Sequence, residues 1–452
     1  MQLLQRGLNL DKSDTKRIWA ITLPAMLELV FSQLFSMVDT IMLGRTPMAA
    51  RAIAAIGLTN NPINIFNGLM AALNVGATAA VAWAIGAKDE KLARAITRNV
   101  LVLDLLMGIV GTLIGTTFAG GIATFMGAQA DTLAYAQEYL FVIALGFIPT
   151  ALTTGATASL RGAGLTKVPM IYNLTSNLLD VFLNYAMIYG KCGFPEMGVL
   201  GASLSTTVCR FVAMFAALGY IFFTNTPIRV RIRDGFRLKM SIIKEILRVG
   251  LPNGIEQLIM QMGFMLFTKT VAGLGTTVMA AHNIGLNING LSWMPSMAFG
   301  VAATTLAGQS MGAGEPDKAR DQVKLIHRCS VLVALGVATL FITCAPFIVS
   351  IYINDAAVIA LGVGVLRLVA LGMPAIATQI PIAAALRGVR DARFPLIASM
   401  TGIWVFRVFV APLFVYQLGL GLTGAWLSIV LDQTTRAVIV YARFHRGKWM
   451  RM

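Results

Sequence analysis

The chain is short of charge: Asp, Glu, Lys and Arg make up 12% of its 452 residues, about half the share in an ordinary soluble domain. So little charge over this length cannot cover a water-facing surface. Hydrophobic residues make up 57% of the chain, and its mean hydropathy is +0.75. We therefore expect a membrane protein, and we exclude a soluble enzyme, a secreted disulfide-rich protein and a nucleic-acid-binding protein.

Cysteine and histidine are also scarce, with four and three residues respectively. No two cysteines have the spacing of a metal site or a redox motif, so small apolar side chains are the expected role. The chain also lacks an HExxH motif, a G-x-S-x-G motif and a phosphate-cradling loop, which argues against an enzyme. We expect no cofactor.

Long apolar runs account for most of the chain. Each is long enough to cross a bilayer, which takes about 20 residues. The twelve runs lie near 18–43, 52–86, 99–119, 133–158, 166–190, 198–224, 242–273, 277–311, 325–350, 357–386, 394–416 and 421–442. The sequence therefore predicts an all-α integral membrane protein with twelve transmembrane helices.

The basic residues indicate the orientation of these helices. With the N-terminus inside, 28 of the 36 Lys and Arg residues fall in inner segments and three in outer ones, Arg45, Arg51 and Lys191. Inner loops of membrane proteins carry this excess. We expect both termini in the cytoplasm and the protein in the inner (plasma) membrane. The same bias explains the net charge of +16 without a polyanionic partner.

The two halves of the chain repeat each other in parallel register. Leu160-Arg161-Gly162 recurs 226 residues later as Leu386-Arg387-Gly388, and Leu23-Pro24 recurs 228 residues later as Leu251-Pro252. Parallel repeats of six helices are related by an axis along the membrane normal and enclose a central cleft. We predict two six-helix lobes, residues 1–224 and 241–452, joined by a cytoplasmic linker, residues 225–240.

Carboxylates inside the runs are the most informative polar groups, because each is costly in lipid and faces a cavity or a partner. In the first run Glu28, Ser32, Ser36 and Asp39 are spaced 4, 4 and 3, which places them on one helix face. Pro24, one turn before Glu28, is the expected hinge. A shielded Asp39 favours its neutral form and can exchange a proton or hold a monovalent cation; a hydrogen-bonded structural stripe is the alternative.

The seventh run provides an internal comparison. At an offset of 228, Glu28 corresponds to Glu256, Gln33 to Gln261 and Asp39 to Phe267. The first lobe should therefore carry the ion chemistry, and Glu28 and Glu256 should share a structural or gating role. We also place Glu28, Glu256 and Gln261 along the substrate pathway, together with Ser36.

A cation site is expected where the first, fifth and sixth runs meet. The fifth carries Asn177, Asp180 and Asn184 on one face, and the sixth adds Thr206. Asp39, Asn177, Asp180 and Thr206 would form an all-oxygen site suited to Na⁺.

Three further groups of polar residues lie within the runs. In the second run, Asn60, Asn64 and Asn67 either line the pathway or join helices. Arg407, Asp432 and Arg436 should pair with one another in the last two runs. Asp104 is expected to reach only the membrane interface.

Several segments together carry a family resemblance, and they extend over nearly the whole chain. They are Leu23-Pro24, Val38-Asp39-Thr40, Leu160 to Gly164, Gly201-Ala202 through Thr206, Ala280-Ala281-His282, and Arg443-Phe444 to Trp449. With the twelve runs and the repeat, the chain resembles the multidrug and toxic compound extrusion (MATE) transporters, most closely the prokaryotic DinF-like branch.

The resemblance implies a V-shaped pair of lobes that exports cationic, often aromatic, compounds in exchange for Na⁺ or H⁺. It matches Asp39 and Thr206 to a family aspartate and threonine. In the fifth run the family order of Asn then Asp is exchanged, since Asp180 precedes Asn184. A flippase for lipid-linked saccharides in the same superfamily is the alternative, with Arg210, Lys269 and Arg367 as candidate phosphate contacts. The expected partners are membrane lipid and small organic cations, not nucleic acid, and we expect a monomer.

Overall fold

The structure, a computed structural model, describes residue 8 and residues 10–44, 49–129, 132–231, 233, 235, 238–352 and 355–451. Every regular element among these residues is helical. The first six helical segments are α1 (Lys12–Gly44), α2 (Ala49–Gly86), α3 (Glu90–Thr117), α4 (Leu133–Leu145 and Phe147–Gly162), α5 (Lys167–Ile188) and α6 (Val199–Phe223). The next six are α7 (Met240–Ala272), α8 (Thr276–Gly312), α9 (Pro316–Ser350), α10 (Ala356–Gly388), α11 (Arg393–Thr401, Gly402–Val410 and Leu413–Gln417) and α12 (Gly421–His445). Ala119–Phe125 is a short helix after α3, and Lys448–Arg451 is a 3₁₀ turn after α12.

These twelve segments coincide with the twelve predicted runs, so the all-α, twelve-helix class is confirmed. The two pieces of α4 meet at an angle of 44°. Most of α11 is π-helical, over Gly402–Val410 and Leu413–Gln417. Arg45, which the charge pattern places outside, lies beyond the described residues.

By length and composition alone, seven of the described helices are able to cross a membrane, or eight when the bent α4 counts as one span. The other four, α5, α7, α8 and α12, carry intramembrane carboxylates or several amide side chains. Polar side chains of this kind lower mean hydropathy without preventing a helix from spanning a membrane when they face protein or water.

The described residues pack into two compact units. One is Leu27–Gly250, called the N-terminal unit below; the other is Met1–Met26 with Leu251–Met452, called the C-terminal unit. Both boundaries fall inside helices, within α1 and within α7, close to Pro24 and Pro252. The predicted lobe boundaries at residues 224 and 241 stay a prediction.

Each unit has an apolar core built mainly from small and branched side chains. In the N-terminal unit the core joins α2, α3, α4, α6 and the start of α7, with Ala80, Val100 and Leu160 among its members. In the C-terminal unit it centres on α8 to α12, with Phe267 and Trp426 as its largest side chains.

The internal repeat is also present in the packing. Thr78 donates a hydrogen bond to the Ala158 carbonyl at 3.2 Å, and Thr304, 226 residues on, donates to the Ala384 carbonyl at 2.9 Å. Gly162 and Gly388 let the same helices approach closely: a side chain at either would meet the backbone of Thr78 or Thr304. The duplication therefore preserves contacts between helices as well as sequence motifs.

The first turns of α1 pack within the C-terminal unit. Arg17 donates to the side chain of Gln309 at 2.5 Å, Gln322 donates to Asp14 at 3.2 Å, and Trp19 meets Phe299 edge to face. One continuous helix thus contributes its start to one unit and its remainder to the other.

Candidate functional site

Helices α1 and α5 of the N-terminal unit are joined by three hydrogen bonds in constant register. Asn173 donates to Glu28 at 2.7 Å, Asn177 to Ser32 at 3.1 Å, and Asn184 to Asp39 at 2.9 Å. Each pair is separated by 145 residues, so the two helices run in the same direction. The predicted polar face of α1 therefore lies against the predicted polar face of α5.

At the Asp39 end of this ladder two carboxylates lie near each other. Asp39 and Asp180 are close enough to interact electrostatically. Thr206 of α6 donates to Asp180 at 3.5 Å, and Ser205 donates to the Asn184 side chain that holds Asp39. We call Asp39, Asp180, Asn184, Ser205 and Thr206 the acidic chamber.

The acidic chamber is partly shielded from solvent, since Asn184 and Ser205 are buried and the two carboxylates are half-buried, and it is short of positive charge. Oδ1 of Asp180 is enclosed and has no hydrogen-bond partner among the described residues, although Ser205 lies nearby. Neither carboxylate has a Lys or Arg at ion-pair distance within the part of the chain that the structure describes. Arg210 lies within electrostatic reach of Asp180, and its guanidinium donates to the Ile143 carbonyl at 3.5 Å.

Such a chamber suits a small cation. Its donor atoms are carboxylate, amide and hydroxyl oxygens, which are the ligands of hard cations. Two neighbouring carboxylates away from water are mutually destabilising when both are charged, so binding of a proton or a metal cation relieves the repulsion. Asn177 is not brought into the chamber itself, since its amide is bonded to Ser32 two turns away from Asp39.

The C-terminal unit fills the equivalent positions with hydrocarbon. Asp39 corresponds to Phe267, Asn177 to Ile403 and Thr206 to Ile429, and all three are at most 5% exposed. Phe267 and Ile429 belong to the main core of that unit. The duplicated half thus keeps the helices but not the polar chamber.

Glu28 and Glu256 occupy equivalent ion pairs in the two units. Arg161 contacts Glu28 at 2.9 Å, and Arg387 contacts Glu256 at 2.7 Å. The third partner is also equivalent: Asn173 bonds Glu28, and Ser399 donates to Glu256 at 2.6 Å. Both carboxylates are buried. This symmetry favours the shared structural role for both residues over a role as isolated pathway charges.

The remaining pathway residues differ in exposure. Ser36, Asn60, Asn64 and Gln261 are exposed side chains on helices that cross the membrane, and Asn67 is half-buried with its Oδ1 unpartnered among the described residues. A pathway role for them stays a prediction. Helix α1 continues without a break through Pro24, so the hinge stays a prediction as well.

The expected pairing of the last intramembrane charges is confirmed. Asp432 is fully buried between Arg407 at 2.5 Å and Arg436 at 2.5 Å. Gly402 makes room for it, because a side chain there would meet Asp432 and Arg436. Arg407 also lies over the ring of Phe264, 4.8 Å from its centroid.

The expectation for Asp104 is wrong. It lies 14 residues into α3, about 20 Å from the helix start, and is 0% exposed. Asn74 of α2 donates to it at 3.2 Å, and its second oxygen fills the space beside Gly155 of α4. Spacing along α3 alone does not reveal this burial, because the contacts of Asp104 come from Asn74 and Gly155 on two other helices.

Several partners were missed from the sequence. Arg161, Arg387 and Ser399 complete the two glutamate pairs, Ser205 orients Asn184, and Tyr139 lies near both Asp39 and Asp180. The sequence did hold a signal for the two arginines. Glu28 recurs as Glu256 at an offset of 228, and Arg161 recurs as Arg387 at the similar offset of 226. Residues that repeat together are candidates for mutual contact.

Comparison with known families gives a match over most of the chain. The family model described as MatE matches residues 24–186 and again residues 252–413. The two matched segments correspond to the two copies of the internal repeat.

Individual relatives agree with this family. The chain is 33% identical to a protein named "Probable multidrug resistance protein NorM" from Thermotoga maritima, over 96% of this chain and 93% of that one. It is 29% identical to "Multidrug resistance protein PmpM" from Pseudomonas aeruginosa, over 98% and 94% of the two chains. A solved structure described as the outward-facing conformation of a multidrug resistance MATE family transporter aligns with a TM-score of 0.90 at 24% identity, covering 99% of this chain and 98% of that one. The last match supports the fold alone. The narrower expectation of a DinF-like branch stays a prediction.

Proposed function

The chain belongs to the MatE family, and from this premise we propose that it is a secondary active transporter that exports cationic amphipathic compounds by antiport with H⁺ or Na⁺. Its location would be the inner membrane, with both termini in the cytoplasm. The multidrug resistance names of relatives that match almost the full chain support the efflux role.

The observation that carries the coupling mechanism is the acidic chamber. Asp39 and Asp180 lie together without a basic residue at ion-pair distance among the described residues, so an incoming cation is the group that neutralises them. With the carboxylates charged, the protein attracts a cationic substrate. Entry of H⁺ or Na⁺ removes that attraction and releases the substrate outward, so the two cations compete for one charge and their fluxes are coupled.

Residues around the chamber have distinct roles in this proposal. Asn184 fixes the orientation of Asp39 through its amide, and Ser205 fixes that amide in turn. Thr206 supplies a further oxygen beside Asp180. Pro24 would permit α1 to bend when the charge at Asp39 changes, because a proline inside a helix removes one backbone hydrogen bond.

The flippase alternative receives less support. A flippase would need a cluster of positive charge for a lipid pyrophosphate, whereas Arg210 is the one candidate of the three in the N-terminal unit and its guanidinium donates to the Ile143 carbonyl. Lys269 and Arg367 are exposed side chains in the C-terminal unit.

Transport in vesicles tests the proposal. The purified protein is reconstituted, and ethidium movement is followed under a pH gradient and, separately, under a Na⁺ gradient with choline as the replacement ion. We expect one gradient or both to drive movement, and Asp39→Asn to abolish the driven component. The matched control is Asp104→Asn, the same chemical change at a buried carboxyl outside the chamber, and it should keep driven transport. Full driven efflux by Asp39→Asn would refute the coupling assignment.

A further inference from the structure

A cavity of about 250 Å³ opens in the N-terminal unit, at the end that the charge pattern places in the cytoplasm, and none of its lining residues belongs to the acidic chamber. Its lining consists of Lys91, Arg94, Ala95 and Arg98 of α3, with Val230 and Arg231 of the segment that follows α6. Four of its six lining residues are basic and none is acidic.

The cavity is built by two parts of the chain that are held together. Val230 is buried in the core of the unit, and its backbone N–H donates to the Ile221 carbonyl at 3.3 Å. Arg94 donates to the Pro227 carbonyl at 3.4 Å, and the Lys239 N–H donates to the Asn99 side chain at 2.8 Å. These bonds fix the segment against α3 and bring Arg231 to the three basic residues of the helix.

The positive charge in the cavity exceeds the local negative charge. Arg94 is paired with Glu90 at 2.7 Å, but that carboxylate is half exposed and screened by water. Lys91 and Arg231 form no ion pair with any carboxylate in the described part of the chain. Four cations around one small volume repel one another, so an anion with several acceptor oxygens stabilises the arrangement.

The face of α3 that carries these residues continues along the helix as an apolar stripe. Arg98, Leu105 and Ile109 are spaced 7 and 4 residues apart, which places them on one face. Leu105, Ile109 and Leu113 are exposed large hydrophobic residues, as expected for side chains that meet lipid tails. The rise from Arg98 to Leu105 is about 10 Å, so the basic residues lie about two turns before the apolar stripe begins.

We propose that this cavity binds the phosphate headgroup of an anionic phospholipid of the inner leaflet, with its acyl chains along Leu105, Ile109 and Leu113. Basic sites on the cytoplasmic side of transmembrane helices recognise anionic headgroups in this way. Each arginine guanidinium can donate two parallel hydrogen bonds to the phosphate oxygens, and the Lys91 ammonium adds a localised positive charge. The site does not depend on which compound the protein transports.

Native mass spectrometry of the detergent-solubilised full chain tests the proposal. The protein is titrated with phosphatidylglycerol and, separately, with phosphatidylcholine of the same acyl chains. We expect phosphatidylglycerol to bind at least ten-fold more tightly. Lys91→Ala with Arg231→Ala should weaken its binding about 30-fold, because each basic residue near a membrane surface contributes about 1 kcal/mol.

Two further variants make the result specific. Lys244→Ala with Arg248→Ala removes the same two charges from exposed positions on the cytoplasmic part of α7 and should bind phosphatidylglycerol as the unchanged protein does. Lys91→Arg with Arg231→Lys keeps the charge and should keep the preference. Equal binding of the two lipids, or equal loss in both alanine pairs, would overturn the proposal.

A last experiment distinguishes a lipid headgroup from soluble phosphate as the ligand of the cavity. Inorganic phosphate is added to the phosphatidylglycerol complex at millimolar concentration. We expect the lipid to remain bound, since the apolar stripe contributes to its affinity. Displacement of the lipid by millimolar inorganic phosphate would assign the cavity to a soluble anion instead.

Discussion

Asp104 illustrates how a single buried residue depends on the space around it. Its carboxylate accepts a hydrogen bond from Asn74, and Oδ2 occupies the place that a side chain at Gly155 would take. No described basic residue pairs with it. The hydrogen bond from Asn74 requires only an oxygen acceptor in the side chain at position 104. The space between Asp104 and Gly155 is already filled by Oδ2, so there is no room for a β-carbon at position 155.

Substitutions at these two positions should therefore differ sharply. Asp104→Asn should change the free energy of unfolding by less than about 1 kcal/mol, because the amide keeps the shape and the acceptor. Gly155→Ala should lower it by about 2 kcal/mol, since the new methyl group overlaps the carboxylate. SDS-induced unfolding of the purified protein measures both.

A glycine without neighbours is the matched control for this pair. At Gly68 of α2, nothing lies within 4 Å of the place that the β-carbon of an alanine would occupy, so Gly68→Ala should stabilise the helix by about 0.5 to 1 kcal/mol. Asp104→Ala combined with Gly155→Ala should recover part of the loss. Equal effects of alanine at Gly155 and Gly68 would contradict the steric explanation.

At the scale of helices, two equivalent ion pairs hold three helices together in each unit. Glu28 of α1 joins Arg161 of α4 and Asn173 of α5. Glu256 of α7 joins Arg387 of α10 and, through Ser399, α11. Since the pairs survived duplication in matching positions while the acidic chamber did not, their role belongs to the helical framework.

Removal of either arginine should destabilise the fold. Arg161→Gln or Arg387→Gln leaves a buried glutamate without its cation, which typically costs about 3 kcal/mol or more. SDS-induced unfolding again provides the measurement. The control is Lys324→Gln, which breaks a pair with Asp321 at 3.3 Å near the start of α9 and should cost less than about 1 kcal/mol. Equal costs for the three variants would argue against a framework role.

Helix positions could be predicted from the sequence, whereas helix partners largely could not. Apolar runs mark the helices because lipid demands about 20 apolar residues in succession. The bonds from Asn173, Asn177 and Asn184 to α1 connect residues 145 positions apart, and no local pattern encodes which helix lies beside which. The sequence placed Asp39, Asp180 and Thr206 together because each is a polar residue where lipid contact is costly, and the three side chains do lie close to one another; their role in ion coupling stays a prediction. The amide of Asn177 donates to Ser32 instead, because helical spacing fixes a face and does not choose the partner; its place in a cation site stays a prediction.

At the scale of the molecule, the membrane orientation expected from the basic residues can be tested with the protein's own cysteines. Cys192 is the one exposed free cysteine among the described residues; Cys209 and Cys329 are buried and Cys344 is half-buried. It lies in the loop between α5 and α6, which the charge pattern places outside.

A membrane-impermeant maleimide should therefore label intact cells at Cys192. Cys192→Ser should remove that signal. In the Cys192→Ser background, Arg233→Cys should be labelled only after the membrane is permeabilised, because the segment before α7 is expected inside. Labelling of Arg233→Cys in intact cells would reverse the assigned topology.

The number of carboxylates in the acidic chamber also limits the substrate concentration ratio that the membrane voltage can sustain. If the chamber couples transport as proposed, its two carboxylates, Asp39 and Asp180, accept at most two monovalent ions in one turnover. If one singly charged compound leaves as two ions enter, one net charge moves inward and gains about 2.3 kcal/mol at 100 mV. Voltage alone then sustains a concentration ratio of about 50 across the membrane. Phe267, Ile403 and Ile429 occupy the equivalent places in the other half, so the described residues of that half hold no second chamber of this kind that could steepen the ratio.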